Sequence, residues 1–211
     1  MILPIKIFFL FIGMICVISN NNQNNIEFDN PDIQKKLNII LGESTDTVMH
    51  AITPFNFGWE NGGRADVFMY RKHIDGIVYI TGDLFGKDQK PSDAGNYELM
   101  ICHKYDMDWG PDLISNLAYY TLDASLNSGE TMDLSERFMS DSSEITALIF
   151  DKYSEFEIDE KKYGLMLMIG ITADELEYKF ENGGTELIKK LKERKIYPYT
   201  DLKRGSIFKN N

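Results

Sequence analysis

The chain has 211 residues, of which 43% are hydrophobic and 12% aromatic, enough for one domain with its own core and too apolar for a disordered chain. Its formal net charge is -11. Taking away residues 1–19 removes only Lys6, which leaves 21 basic against 33 acidic residues, a net of -12. Such a surface repels nucleic acid and anionic membrane and suits a basic partner.

Ile2 to Ile18 is almost wholly apolar with Lys6 as its only charge, and the Asn-rich stretch Asn20 to Asn25 follows. A short apolar run behind one basic residue and ahead of a polar segment reads as a secretory signal. Residues 1–19 are therefore expected to direct export to the periplasm or cell envelope, with cleavage after Ser19. A lipid attached at Cys16, a retained anchor and a cytoplasmic chain are the alternatives. If the segment is cleaved, Cys102 is the one cysteine left, which excludes a disulfide framework in the mature monomer. Its place in the apolar run Tyr97 to Cys102 reads as a buried structural thiol.

Asn30-Pro31 has the form of an N-cap followed by proline in the first turn, and Ile33, Leu37, Ile40 and Leu41 recur at helical spacing. This predicts a helix over 31–42. Residues 50–64 form an irregular loop in which Phe55, Phe57 and Trp59 stand among Pro54, Gly58, Gly62 and Gly63. These aromatics either plug one end of the core or anchor a partner. Strands are expected over 65–71, 76–81 and 96–103, the first two as an antiparallel hairpin.

Asp108 opens a predicted helix that runs through Pro111 to about Leu122, with Trp109, Leu113, Ile114, Leu117 and Tyr120 as its apolar stripe. Further strands are expected over 145–150 and 163–171, the second central in the sheet. Thr172 and Glu175 match a capping box. The helix they open should break at Gly183-Gly184, with another following over 185–195. Together these elements give an α+β fold: a mixed, largely antiparallel sheet flanked by helices, in a single domain spanning residues 26–208.

No familiar catalytic constellation is present. The chain lacks a phosphate loop, a G-x-G-x-x-G turn and a G-x-S-x-G elbow. His50, His73 and His103 have no metal-ligand spacing to one another. Asp106-Met-Asp108 lacks the rest of a calcium loop, and Asp108 is expected to cap the following helix. No cofactor, metal or catalytic residue is assigned.

Several ordered segments resemble the suppressor of fused family in a short, bacterial-type form. They are Asp66 to Tyr70, Tyr79 to Gly82, Tyr97 to Ile101, Trp109 with Leu113 and Leu117, Gly170 to Leu176, and the ending Ile196-Tyr-Pro-Tyr-Thr-Asp-Leu-Lys-Arg204. The resemblance implies a mixed sheet with flanking helices and a non-enzymatic role in holding another protein. In animals the longer relative clamps a peptide partly by strand addition. Bacterial relatives look like immunity proteins that neutralise toxins, and an export signal suits a toxin acting in the envelope. The expected partner is thus a protein, with a basic toxin domain as one candidate and an envelope scaffold role as the alternative. An enzyme that the motif search misses is the third reading. Trp59, Asp201 and Arg204 are the candidate partner-binding residues. For Asp201 and Arg204 the competing reading is an ion pair that pins the C-terminus.

Overall fold

The computed structural model describes residues 30–43, 48–90, 92–134 and 143–209. Residues 1–19, expected to be an export signal, and the Asn-rich stretch after them lie outside the described residues. Helix α1 (Pro31–Leu41) starts where the Asn30 side chain accepts the Asp32 N–H at 2.9 Å, and it buries Ile33, Leu37 and Leu41 along one stripe. Gly42 ends it at φ +81°, a conformation that favours glycine.

Seven strands follow: β1 (Val48–Met49), β2 (Val67–Tyr70), β3 (Ile77–Thr81), β4 (Asn96–His103), β5 (Thr131–Asp133), β6 (Ile145–Ile158) and β7 (Lys161–Thr172). They form one sheet in the order β1-β2-β3-β4-β7-β6-β5. The pairing of β4 with β7 is parallel and the others are antiparallel. Helices cover both faces, so the inner strands are apolar on both sides. Along β2, Val67 and Met69 join the core under α2 (Trp109–Leu117) and α3 (Tyr120–Asp123). Phe68 and Tyr70 join the opposite core, under α1 and α5 (Gly184–Glu193). Helix α4 (Ala173–Asn182) precedes α5 on that side.

Several elements differ from the sequence expectation. The predicted helix over 108–122 is two, because the Thr121 N–H and hydroxyl both turn onto the Ala118 carbonyl at 3.2 and 2.8 Å and tighten the turn there. Asp108 occupies the N-cap position without its side chain capping the helix. The strand expected to end at Phe150 continues to Ile158 and folds back into β7 through Asp159 and Glu160. Both turn residues have positive φ (50° and 62°), the twist a tight hairpin needs. The capping box at Thr172 and Glu175 is present, and the break at Gly183-Gly184 is as expected. Gly184 lies so close to Gly129 that a Cβ on it would meet the Gly129 backbone at 2.3 Å. That contact locks the α4–α5 joint onto the turn leading into β5.

The C-terminal segment 196–209 holds the layers together. Strands β4 and β7 stay paired up to Ile101 and Met168, and past that point Cys102 bridges to Tyr199 instead. Thr200 fills the split. Its N–H donates to the Cys102 carbonyl at 2.9 Å, its hydroxyl oxygen accepts the Gly170 N–H at 2.9 Å, and its carbonyl accepts His103 Nδ1–H at 2.8 Å. Four residues on, Arg204 donates to both oxygens of Glu175 at 2.6 Å and to the Gly170 carbonyl at 2.7 Å. The Arg204 side chain is 7% exposed and that of Glu175 0%. Arg204 is therefore a pin for the C-terminus, but its partner is Glu175 rather than the expected Asp201. Arg204→Ala would strand a buried carboxylate, at a cost of about 3–5 kcal/mol. Asp201→Ala at an exposed position should change stability by less than about 0.5 kcal/mol. Urea denaturation of the two variants distinguishes this arrangement from an Asp201–Arg204 pair, for which both would be costly.

Candidate protein-binding surface

Strand β5 ends the sheet, and among the described residues no strand pairs with its outer side. The main chain of Leu134 donates to Thr146 at 2.9 Å and Glu130 accepts from Phe150 at 3.0 Å, so residues 130 and 134 face β6. By antiparallel alternation the main-chain groups of Thr131 and Asp133 point away from the sheet. Among the described residues these outward groups have no partner strand, the feature that lets a second chain add as a strand.

The flanks of the edge differ in character. Met132 packs onto the core with Tyr120 and Leu122, which fixes the strand from one face. On the other face the Lys179 ammonium reaches the Thr131 hydroxyl at 3.3 Å and lies 4.8 Å from the centre of the Phe180 ring. Phe180 is 56% exposed, an apolar contact left at the surface beside the edge. Glu130, just before the strand, and Asp133 at its end are exposed. The edge therefore combines outward main-chain groups, one aromatic anchor and two exposed carboxylates, with the Lys179 ammonium on one flank.

The sequence-selected residues do not gather at this edge. Trp59 stands on the β1–β2 loop and is 62% exposed. Phe55 in the same loop is buried and stacks on Tyr119 at 4.1 Å, so the core-plug reading holds for Phe55 and not for Trp59 or Phe57. Asp201 is exposed, with its carboxylate accepting the Lys203 N–H. Asp106 is taken up by the Tyr79 hydroxyl and the Arg71 guanidinium. Burial works to raise its pKa, but those two partners outweigh it and hold the carboxyl below the usual range. The edge itself went unforeseen because Thr-Met-Asp is too short to show alternation. Its one local signal is the turn glycine Gly129 ahead of it.

Two buried titratable groups serve the scaffold. Burial pushes the His103 imidazole down, and its Nδ1–H holds the Thr200 carbonyl. Glu98 on β4 is fully buried. It accepts the Thr81 hydroxyl and the N–H groups of Leu84 and Phe85, which shapes the loop after β3. Burial pushes its carboxyl well above the usual range, against the pull of those three donors, and Asp83 adds to the rise. Among the described residues no group of three or more His, Cys, Asp or Glu is placed to hold a metal ion. No helix among them is long and apolar enough to cross a membrane.

Comparison with known proteins bears directly on this arrangement. The family model for suppressor of fused protein (SUFU) matches residues 78–205. The chain belongs to the suppressor of fused family. The SUFU match runs from β3 to the C-terminal segment that carries Thr200 and Arg204. One chain of the Sufu–Fu complex crystal structure is similar at 13% identity with TM-score 0.62, covering 84% of this chain and 91% of that one. Drosophila Suppressor of Fused is similar at 14% identity with TM-score 0.56, over 68% of this chain and 43% of that one, so this chain spans less than half of the Drosophila structure. A SUFU homolog from Neisseria gonorrhoeae FA 1090 aligns at 16% identity with TM-score 0.47, covering 69% of this chain and 79% of that one. At these identities the likeness is one of fold. A search of curated proteins finds no match.

In this SUFU domain Glu98 gives a pH signature. Its folded pKa lies above the unfolded value of about 4.3, so the ionised form is disfavoured by folding. Stability from this group is present below that unfolded value and is lost as pH rises through the raised folded one. Glu98→Gln keeps acceptors for the loop without the charge. Relative to wild type, its stability should therefore rise over that window. A wild-type minus variant difference that stays flat in urea denaturation from pH 4 to pH 8 would contradict the assignment.

Proposed function

We propose that this SUFU domain neutralises a basic toxin domain by direct binding, taking an extended segment of it as an added strand beside β5. The observation that carries the reading is the open β5 edge, where outward main-chain groups of Thr131 and Asp133 stand beside the exposed Glu130 and Asp133 carboxylates and the exposed Phe180 ring. The acidic chain, of net charge -11 and of -12 without residues 1–19, would speed capture of a basic partner by electrostatic steering. No catalytic step is needed, since occupation of the toxin surface is itself the activity. The reading takes residues 1–19, on their apolar sequence, as an export signal that brings the domain to a toxin in the cell envelope.

Asp133→Pro provides the test. It removes one outward N–H and leaves the β6 ladder in place, a position where proline is tolerated in edge strands. Tagged full-length chain is used to capture partners from the source cells, and association is then measured at rising salt. One stoichiometric partner with a basic domain, slowed steeply by salt and lost with Asp133→Pro, is the expected result. Salt-insensitive association, or equal retention by the variant, would overturn the reading. Several unrelated envelope proteins in place of one partner would favour a general scaffold.

A further inference from the structure

A second surface lies at the other end of the sheet. The β1 and β5 strands are six inter-strand steps apart, roughly 29 Å at the usual spacing. The loop after β1 is held rigidly. Two single turns of 3-10 helix, Phe55–Phe57 and Trp59–Asn61, share Gly58, whose carbonyl accepts Asn61 N–H at 3.1 Å and Gly63 N–H at 2.9 Å. The loop closes where Arg64 N–H donates to Thr53 at 3.0 Å, and Phe55 anchors it by stacking on Tyr119. Gly63 is required here, since a Cβ would meet the Pro54 carbonyl at 2.8 Å and that of Gly58 at 2.9 Å. This knuckle presents Ile52, Phe57 and Trp59 at 56%, 60% and 62% exposure.

Two features say what would cover it. The charges adjoining the knuckle lean acidic, three carboxylates against two fixed cations among the described residues. Glu60 is exposed beside Trp59, Asp66 accepts the Ala51 N–H and faces His50, Asp112 pairs with Arg64, and Lys87 lies over the Phe55 ring. The second feature is a pattern across the chain. Phe55, Tyr178, Phe180, Tyr197 and Tyr199 each have a lysine ammonium of the same chain 4.3–5.9 Å from the ring centre. Among the described residues neither Phe57 nor Trp59 has one, although both are more exposed than any of those rings. Their faces are open to a cation from outside, and tryptophan is the strongest ring acceptor for one.

We propose that Phe57 and Trp59 form a second docking surface, separate from the β5 edge, for an apolar protein segment bearing lysine or arginine. The rigid loop loses little freedom on binding, which favours affinity. A second copy of this acidic chain would bring like charge to the surface, and an anionic membrane is repelled in the same way. The inference shares with the proposed function the idea that the chain binds protein. It does not depend on the β5 edge or on a toxin.

The test titrates the full chain with an amphipathic Leu/Arg peptide, its Leu/Glu counterpart and zwitterionic lipid vesicles, reading tryptophan emission and calorimetric affinity. The Leu/Arg peptide is expected to bind. Its Kd should rise about tenfold in Trp59→Ala and further when Phe57→Ala is added. Both positions are exposed, so the variants keep the fold, and circular dichroism checks this. Asp133→Pro should leave the peptide affinity unchanged, which separates failure of this surface from failure of the edge. Equal binding of the Leu/Glu peptide, preference for vesicles, self-association in sedimentation, no binding of the Leu/Arg peptide, or an unchanged Kd in Trp59→Ala would each overturn the proposal.

Discussion

The buried pair of Glu175 and Arg204 is the contact on which the rest of this domain depends. One carboxylate receives two guanidinium hydrogen bonds, the Thr172 N–H that starts α4 and the Ile207 N–H of the tail. The guanidinium also reaches the Gly170 carbonyl of β7. A charge pair this deep contributes little net stability, because desolvation offsets most of its attraction. What it fixes is arrangement. It ties the end of the central strand, the start of α4 and the C-terminal segment into one node, and α4 then stands beside the β5 edge through Lys179 and Thr131. Thr200 extends the node by filling the place where β4 and β7 part.

Helices on both faces leave the sheet free chiefly at its ends. At one end the edge of β5 offers main-chain pairing. At the other, the knuckle after β1 offers ring faces without main-chain pairing. As proposed docking surfaces, the two would call on different interactions and on partners of the same sign, since acidic side chains stand near both. A net charge of -11 gives a long-range field that favours basic partners at either place and is weakened by salt. The interior is separate from this chemistry. Glu98 and His103 sit inside the scaffold, and Cys102 is a buried thiol whose pKa burial raises.

How much of this the sequence carried depends on the range of each interaction. The bounds of β4, Asn96–His103, match the expected strand, because a strand buried on both faces shows as a nearly continuous apolar run, here interrupted by the buried Glu98. Helix α1 and the capping box at Thr172 were legible because caps act over two or three residues. The outer half of β6 was not. Lys152, Ser154, Glu155 and Glu157 make that stretch polar, and its pairing with β7 is what holds it as a strand. Strand β5 is too short to carry a pattern. Arg204 was singled out with the wrong partner, since Asp201 lies nearby in sequence while Glu175 is 29 residues away. The family was legible in the order of several short segments, and its model matches over residues 78–205. The two surfaces were only half visible. Trp59 stood out as an aromatic among glycines, whereas an open edge is a property of the assembled sheet.

Amide hydrogen exchange on the chain with and without its captured partner tests the strand-addition claim most directly. The main-chain N–H groups of Thr131 and Asp133 face away from β6, so in the free protein they should exchange quickly, and the partner should protect both. Protection elsewhere on the surface, with Thr131 and Asp133 exchanging at the free rate, would contradict strand addition at β5.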